Sequence, residues 1–146
     1  MPILVDEKTR VLVQGISGNE GSRACREMLS YGTKDVAGVT PGRGGQKVAG
    51  VPVYDTVAEA LKRHPEVNAT LISVPAAFAR EAAEEAILAK IPLVNILTEH
   101  IPTLDSARLV SLARLKGVVL VGPSSVGIIS PGKGKIGSVG SSESAK

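Results

Sequence analysis

Val11-Leu12-Val13-Gln14-Gly15-Ile16-Ser17-Gly18-Asn19-Glu20-Gly21-Ser22 carries a short apolar run directly into a loop of small residues. Residues 11–14 are β-branched-rich and read as a buried strand; the glycines at 15, 18 and 21 are spaced G-x-x-G-x-x-G at the point where a helix opens. Similar runs recur at residues 36–39, 70–74, 93–97 and 118–121. Their ends, at Gly15, Val39, Ser73, Leu97 and Val121, lie 24, 34, 24 and 24 residues apart. Helix-like segments rich in Ala and Glu (residues 76–90) or ending at Gly117 (residues 104–116) fill the intervals. Strand and helix alternating at this period indicate repeated βα units, and runs apolar on both faces indicate a parallel sheet covered on both sides. The expected fold is therefore α/β and Rossmann-like: about five parallel strands with helices on both faces. The longer interval holds Val48, Gly50, Val51, Pro52 and Val53, read as a small extra strand or hairpin before a short helix over residues 57–63. One domain over residues 1–137 is expected, followed by a flexible Gly/Ser-rich tail over residues 138–146.

Composition narrows the function classes. The chain has 146 residues, 43% of them hydrophobic, with one Phe, two Tyr and no Trp, so the core is aliphatic. Such a sequence is too hydrophobic for general disorder and too poor in aromatics for a single-strand nucleic-acid platform. The net charge of +3 comes from scattered Lys and Arg, which suits one anionic small molecule better than a nucleic-acid backbone. One cysteine and two histidines exclude an internal disulfide and give no structural metal pattern. No run is long enough to span a membrane and no signal-peptide core is visible, so a cytoplasmic protein is expected.

In an open parallel sheet, ligands bind beyond the carboxyl ends of the strands, where helix N-termini offer unpaired N–H groups. The residues following each run are small or hydroxylated. The first loop, with Ser17, Gly18, Asn19, Glu20 and Gly21, reads either as a phosphate cradle or as a tight turn in which Ser17 caps the helix and Glu20 completes a capping box. The second contains Val39, Thr40, Pro41 and Arg43. It lacks the acidic residue that holds the ribose of NAD, since Asp35 lies at the other end of the strand, and Arg43 fits a further phosphate or a solvated turn. Ser73, Val74 and Pro75 follow the third run, and Thr98, Glu99 and His100 the fourth. His100 has no acid–base partner at a suggestive spacing, His64 reads as a solvated loop residue, and Cys25 as packing inside the first helix. No catalytic residue or metal ligand stands out.

Several strings carry a family resemblance: Val13-Gln14-Gly15-Ile16-Ser17-Gly18, Val39-Thr40-Pro41-Gly42-Arg43-Gly44-Gly45, Gly50-Val51-Pro52-Val53-Tyr54-Asp55-Thr56-Val57, Thr98-Glu99-His100-Ile101-Pro102 and Ser130-Pro131-Gly132-Lys133-Gly134-Lys135-Ile136-Gly137. From about residue 3 to residue 137 the chain resembles the N-terminal CoA-binding domain of succinyl-CoA synthetase α subunits. The resemblance implies coenzyme A as ligand and an NDP-forming acyl-CoA synthetase as context, with the CoA thiol presented to an acyl phosphate. By position it assigns to CoA the four loops: Ser17, Gly18, Asn19, Glu20 and Gly21; Val39, Thr40, Pro41 and Arg43, where lysine is common; Ser73, Val74 and Pro75; and Thr98 and Glu99. Gly122-Pro123-Ser124-Ser125 and His64-Pro65-Glu66-Val67 are more similar to ATP-citrate lyase, and His100 stands where glycine is usual, leaving the acid substrate open. The family's phosphohistidine domain and ATP-grasp β subunit are the implied partners; neither His64 nor His100 matches the phosphohistidine motif, so this polypeptide is not expected to complete a ligase cycle unaided. A stand-alone CoA-binding or sensing protein is the alternative, and an NAD(P)-binding protein the weaker one. A eukaryotic relative would sit in the mitochondrial matrix with its presequence removed.

Overall fold

A computed structural model describes residues 4–137; the expected tail lies outside them. Nine strands and four helices follow in the order β1 (Arg10–Gln14), α1 (Asn19–Tyr31), β2 (Lys34–Val39), β3 (Lys47–Val48), β4 (Val51–Tyr54), α2 (Val57–Arg63), β5 (Ala69–Ile72), α3 (Ala76–Leu88), β6 (Leu93–Ile96), α4 (Thr103–Lys116), β7 (Val119–Val121), β8 (Gly127–Ser130) and β9 (Gly134–Gly137). The five expected strands all form. The runs that form β1, β5 and β6 are buried within the sheet, β5 and β6 along their whole length, whereas β7 lies at the edge and is only partly covered.

The sheet is larger than expected. It has seven strands in the order β3-β4-β2-β1-β5-β6-β7. The segment read as a small strand or hairpin is both: β3 and β4 pair antiparallel, and β4 then pairs parallel with β2. Ala49 and Gly50 make the two-residue turn between them, at φ 51° and 81°, the paired left-handed conformation that tight hairpins require. A second hairpin, β8–β9, stands apart from the main sheet. Its glycine-rich sequence lacks the apolar alternation of an ordinary strand pair, which is why periodicity did not reveal it.

The core divides across the sheet. On one face Leu12, Ile72, Val94 and Ile96 meet α2, α3 and α4 through Ala60, Ala83, Ile87 and Leu109. On the other, Val11, Val13 and Leu71 meet Ala24, Cys25 and Met28 of α1 together with Ile136 of the second hairpin. That hairpin closes over α1: the Thr33 hydroxyl donates to the Lys135 carbonyl at 2.7 Å and accepts from its N–H at 2.9 Å, and the Gly132 N–H donates to the Tyr31 hydroxyl at 2.9 Å. Lys135 is fully buried, its ammonium 5.8 Å from the centre of the Tyr31 ring.

Candidate functional site

The order in which strands are added reverses between β1 and β5, which run parallel. From β1 the chain crosses through α1 to β2 on one side, and β5 returns to pair with β1 on the other. The loops after β1 and β5 diverge there and leave a crevice at the carboxyl edge. Two adjoining clefts occupy it. The first, about 400 Å³, is walled by Gly15, Gly18, Val39, Thr40, Pro41, Ser73, Val74 and Pro75, with Gln14 in its lining and Phe78, Glu81, Ala82 and Glu85 contributed by α3. The second, about 540 Å³, runs from the start of α1 to the loop after β6, past Gly18, Asn19, Glu20, Ser73, Val74, Pro75, Ala76, Leu97, Thr98, Glu99 and His100. Gly18, Ser73, Val74 and Pro75 line both.

Local sequence explains the crevice. Gly15 takes φ 87°, and a Cβ there would lie 2.1 Å from the Ser73 carbonyl oxygen; a Cβ on Gly21 would lie 2.0 Å from that of Gly15. These two glycines let β1, β5 and α1 approach closely, whereas a Cβ on Gly18 would make only an ordinary contact, 3.4 Å from the Gly15 carbonyl oxygen. The expected capping box does not form. The N-cap of α1 is Gly18, without a side-chain hydrogen bond, because Ser17 turns its N–H to the Thr40 hydroxyl at 3.3 Å and the helix begins at Asn19. Pro75 and Pro102 precede α3 and α4, again without side-chain caps. Among the helices only α2 is capped in this way: the Thr56 hydroxyl accepts from the Glu59 N–H at 3.1 Å. The N-termini of α1 and α3, both on the second cleft, thus keep N–H groups that no side chain claims, and each carries the positive end of a helix dipole.

The first cleft is mainly apolar, through Val39, Pro41, Val74 and Phe78, the last 59% exposed at its mouth. Gln14 is held in place: its Nε2 donates to the Ala82 carbonyl at 2.9 Å, and its Oε1 accepts from the buried Thr70 hydroxyl at 2.9 Å. The Thr98 hydroxyl donates to the Val74 carbonyl at 2.8 Å, tying the third and fourth loops together. Glu85 Oε1 accepts from the Val57 N–H, so this carboxylate at the cleft is committed to the start of α2.

Of the expected site residues, Gly18, Asn19, Glu20, Val39, Thr40, Pro41, Ser73, Val74, Pro75, Thr98 and Glu99 come together on the two clefts. Three stand outside the walls. Gly21 is buried under the first turn of α1, Arg43 projects from the exposed loop beyond Pro41, and Ser17 lies beneath the crevice with its Oγ buried and unpartnered. The α3 contributions, Phe78, Glu81, Ala82 and Glu85, were not legible in sequence. Their three- and four-residue spacing shows only that they share a helix face. His100, where the resemblance leads to glycine, takes φ 64°, the left-handed conformation in which glycine is unstrained; its ring is 90% exposed. His64 is not simply solvated: its ring contacts the Tyr54 hydroxyl at 2.9 Å and Glu66 at 3.3 Å, closing the end of α2. Among the described residues no group of three or more His, Cys, Asp or Glu is arranged around a metal position.

Comparison with known proteins shows the family. Residues 6–100 match the family described as CoA binding domain. The chain is 53% identical over 135 residues to the ADP-forming succinate–CoA ligase α subunit of Methanothermobacter thermautotrophicus, covering 92% of this chain and 45% of that protein. It is 50% identical over 137 residues to α subunit 2 of the same ligase from Archaeoglobus fulgidus, covering 94% and 47%. The chain spans about half the length of these relatives. Among solved structures it is similar to ATP citrate lyase of Methanothrix soehngenii in complex with citrate and coenzyme A, with a TM-score of 0.79 and 25% identity, over 92% of this chain and 24% of that one.

Proposed function

The chain belongs to the CoA binding domain family, and from that premise we propose that its carboxyl-edge crevice holds coenzyme A as part of an NDP-forming acyl-CoA synthetase. The observation that carries this reading is the union of two unlike clefts at one switch point. The apolar first cleft suits the flat or aliphatic parts of the coenzyme, and the second, at two uncapped helix N-termini, suits its phosphates. The buried, unpartnered Ser17 hydroxyl supplies a further polar group at the same edge. Ser17, Gly18, Asn19, Glu20, Val39, Thr40, Pro41, Ser73, Val74, Pro75, Thr98 and Glu99 form the proposed site, with Gly21 supporting it and Arg43 reaching the 3′-phosphate.

The contribution of this chain is positional. It orients the coenzyme so that the thiol sulfur bonds to the carbonyl carbon of an acyl phosphate, the carbon–oxygen bond to phosphate breaks, and the thiol proton leaves to solvent or base. The acyl phosphate, succinyl or citryl in type, is formed by units we propose as partners: a phosphohistidine domain and an ATP-grasp β subunit. The names of the relatives and their twofold greater length support this context. No helix among the described residues is long and apolar enough to cross a membrane; we propose the cytoplasm, or the matrix in a mitochondrial relative, as the compartment.

Calorimetry tests the reading. CoA is expected to bind and NAD is not, and Arg43→Ala is expected to weaken CoA about tenfold while leaving 3′-dephospho-CoA nearly unchanged. Binding of NAD without CoA would overturn the assignment, and equal losses for the two coenzyme forms would remove the role of Arg43.

A further inference from the structure

The loop after β2 is rich in glycine, a composition that at the carboxyl edge of a sheet suggests a backbone nest for an anion. Its own hydrogen bonds exclude that use. The N–H groups of Gly42 and Gly44 both donate to Asp55 Oδ1, at 2.8 and 3.0 Å. The Arg43 N–H donates to the Thr40 carbonyl at 3.0 Å, Gly45 to that of Val53 at 3.0 Å, and Gln46 to that of Arg43 at 3.2 Å. Every amide from residue 42 to residue 46 is therefore engaged within the protein. The fit is close: a Cβ on Gly44 would lie 2.7 Å from Asp55 Oδ2. Asp55 stands on a firm junction, between the end of β4 and Thr56, the N-cap of α2, whereas residues 41–47 are exposed. The Arg43 guanidinium forms no salt bridge among the described residues.

We infer that Asp55 is the positioning residue of this loop: by taking the Gly42 and Gly44 amides it sets the place of Arg43 and leaves that guanidinium, in place of the amides of residues 42–46, to grip a coenzyme phosphate. The inference rests on the coenzyme reading above and deepens it. A carboxylate so close to an anion site would otherwise repel the ligand; here its charge is spent on two N–H donors. Phosphate recognition by this loop is then the work of one rigidly based cation.

Calorimetry with CoA and 3′-dephospho-CoA on the wild-type chain, Asp55→Ala, Asp55→Asn, Arg43→Ala and the Asp55→Ala/Arg43→Ala pair tests this, alongside amide hydrogen exchange at Gly42 and Gly44. Asp55→Ala is expected to speed exchange at both amides and to cut the preference for CoA over its dephospho form about tenfold, as Arg43→Ala does. The double variant is expected to lose no more than Arg43→Ala alone, since the two residues act through one contact. Asp55→Asn keeps an acceptor oxygen and is expected to restore most of the preference; it also serves if the alanine variant does not fold. Freed amides with an unchanged preference, additive losses, or tighter CoA binding through the released amides would each overturn the inference. A wild-type chain that binds neither nucleotide defeats the coenzyme reading and this role with it. Slow exchange persisting in Asp55→Ala defeats the positioning claim alone.

Discussion

Asp35 shows how one residue's surroundings alter its chemistry. It lies near the amino end of β2, away from the crevice, with both carboxylate oxygens buried and without a conventional hydrogen-bond partner. Burial pushes its pKa from 3.8 up to about 7, only partly relieved by the neighbouring Cys25 thiol. Burial, followed by the Asp35 charge, in turn pushes Cys25 up to about 12, so the thiol is inert packing. Because the folded state holds the Asp35 proton more tightly than the unfolded chain, its contribution to stability is complete below about pH 4 and is lost as pH rises through about 7. Asp35→Asn is expected to match wild type in acid and to gain stability, of order a few kcal/mol, at pH above about 7. Denaturant titrations of both proteins across that range check it. A difference independent of pH would show that the carboxyl does not titrate with folding.

At the scale of elements, the turn from β1 into α1 separates structural glycine from functional glycine. Gly21→Ala forces a methyl to 2.0 Å from the Gly15 carbonyl oxygen and is expected to cost about 1–3 kcal/mol of stability. Gly18→Ala meets only that same oxygen, at 3.4 Å, and has φ −75°. It is expected to leave thermal unfolding almost unchanged while weakening CoA, because Gly18 lines both clefts. Melting curves and calorimetry on the two variants make the distinction. The G-x-x-G-x-x-G spacing singles out this turn, yet cannot say which glycine serves packing: Gly15 is held against Ser73, 58 residues later and just beyond β5, and Gly21 against the Gly15 carbonyl only once the turn has folded. The capping box failed for a related reason: the partner of Ser17 is Thr40 on the neighbouring loop, and long-range contacts override local capping preference.

For the whole molecule, the second hairpin is the least expected part. It covers α1 on the face of the sheet opposite α2, α3 and α4, and Thr33 is its main polar anchor. Thr33→Val is expected to destabilise the fold by about 1–3 kcal/mol, with amide exchange rising first in β9, since it removes the hydroxyl that bonds both the carbonyl and the N–H of the buried Lys135. Equal exchange rates in variant and wild type would show that the apolar contacts of Ile136 hold the hairpin unaided.

The βα alternation, the two-sided burial of the strands and the choice of loops at one sheet edge were all legible from residue order, because apolar periodicity and turn chemistry are local properties that survive projection onto one dimension. The merging of β4 into the main sheet, the α3 wall, the Asp55 brace under the Arg43 loop and the burial of Asp35 emerged only in three dimensions. Each depends on which distant segments come to lie side by side, and hydrogen bonding and desolvation act through space without regard to separation along the chain.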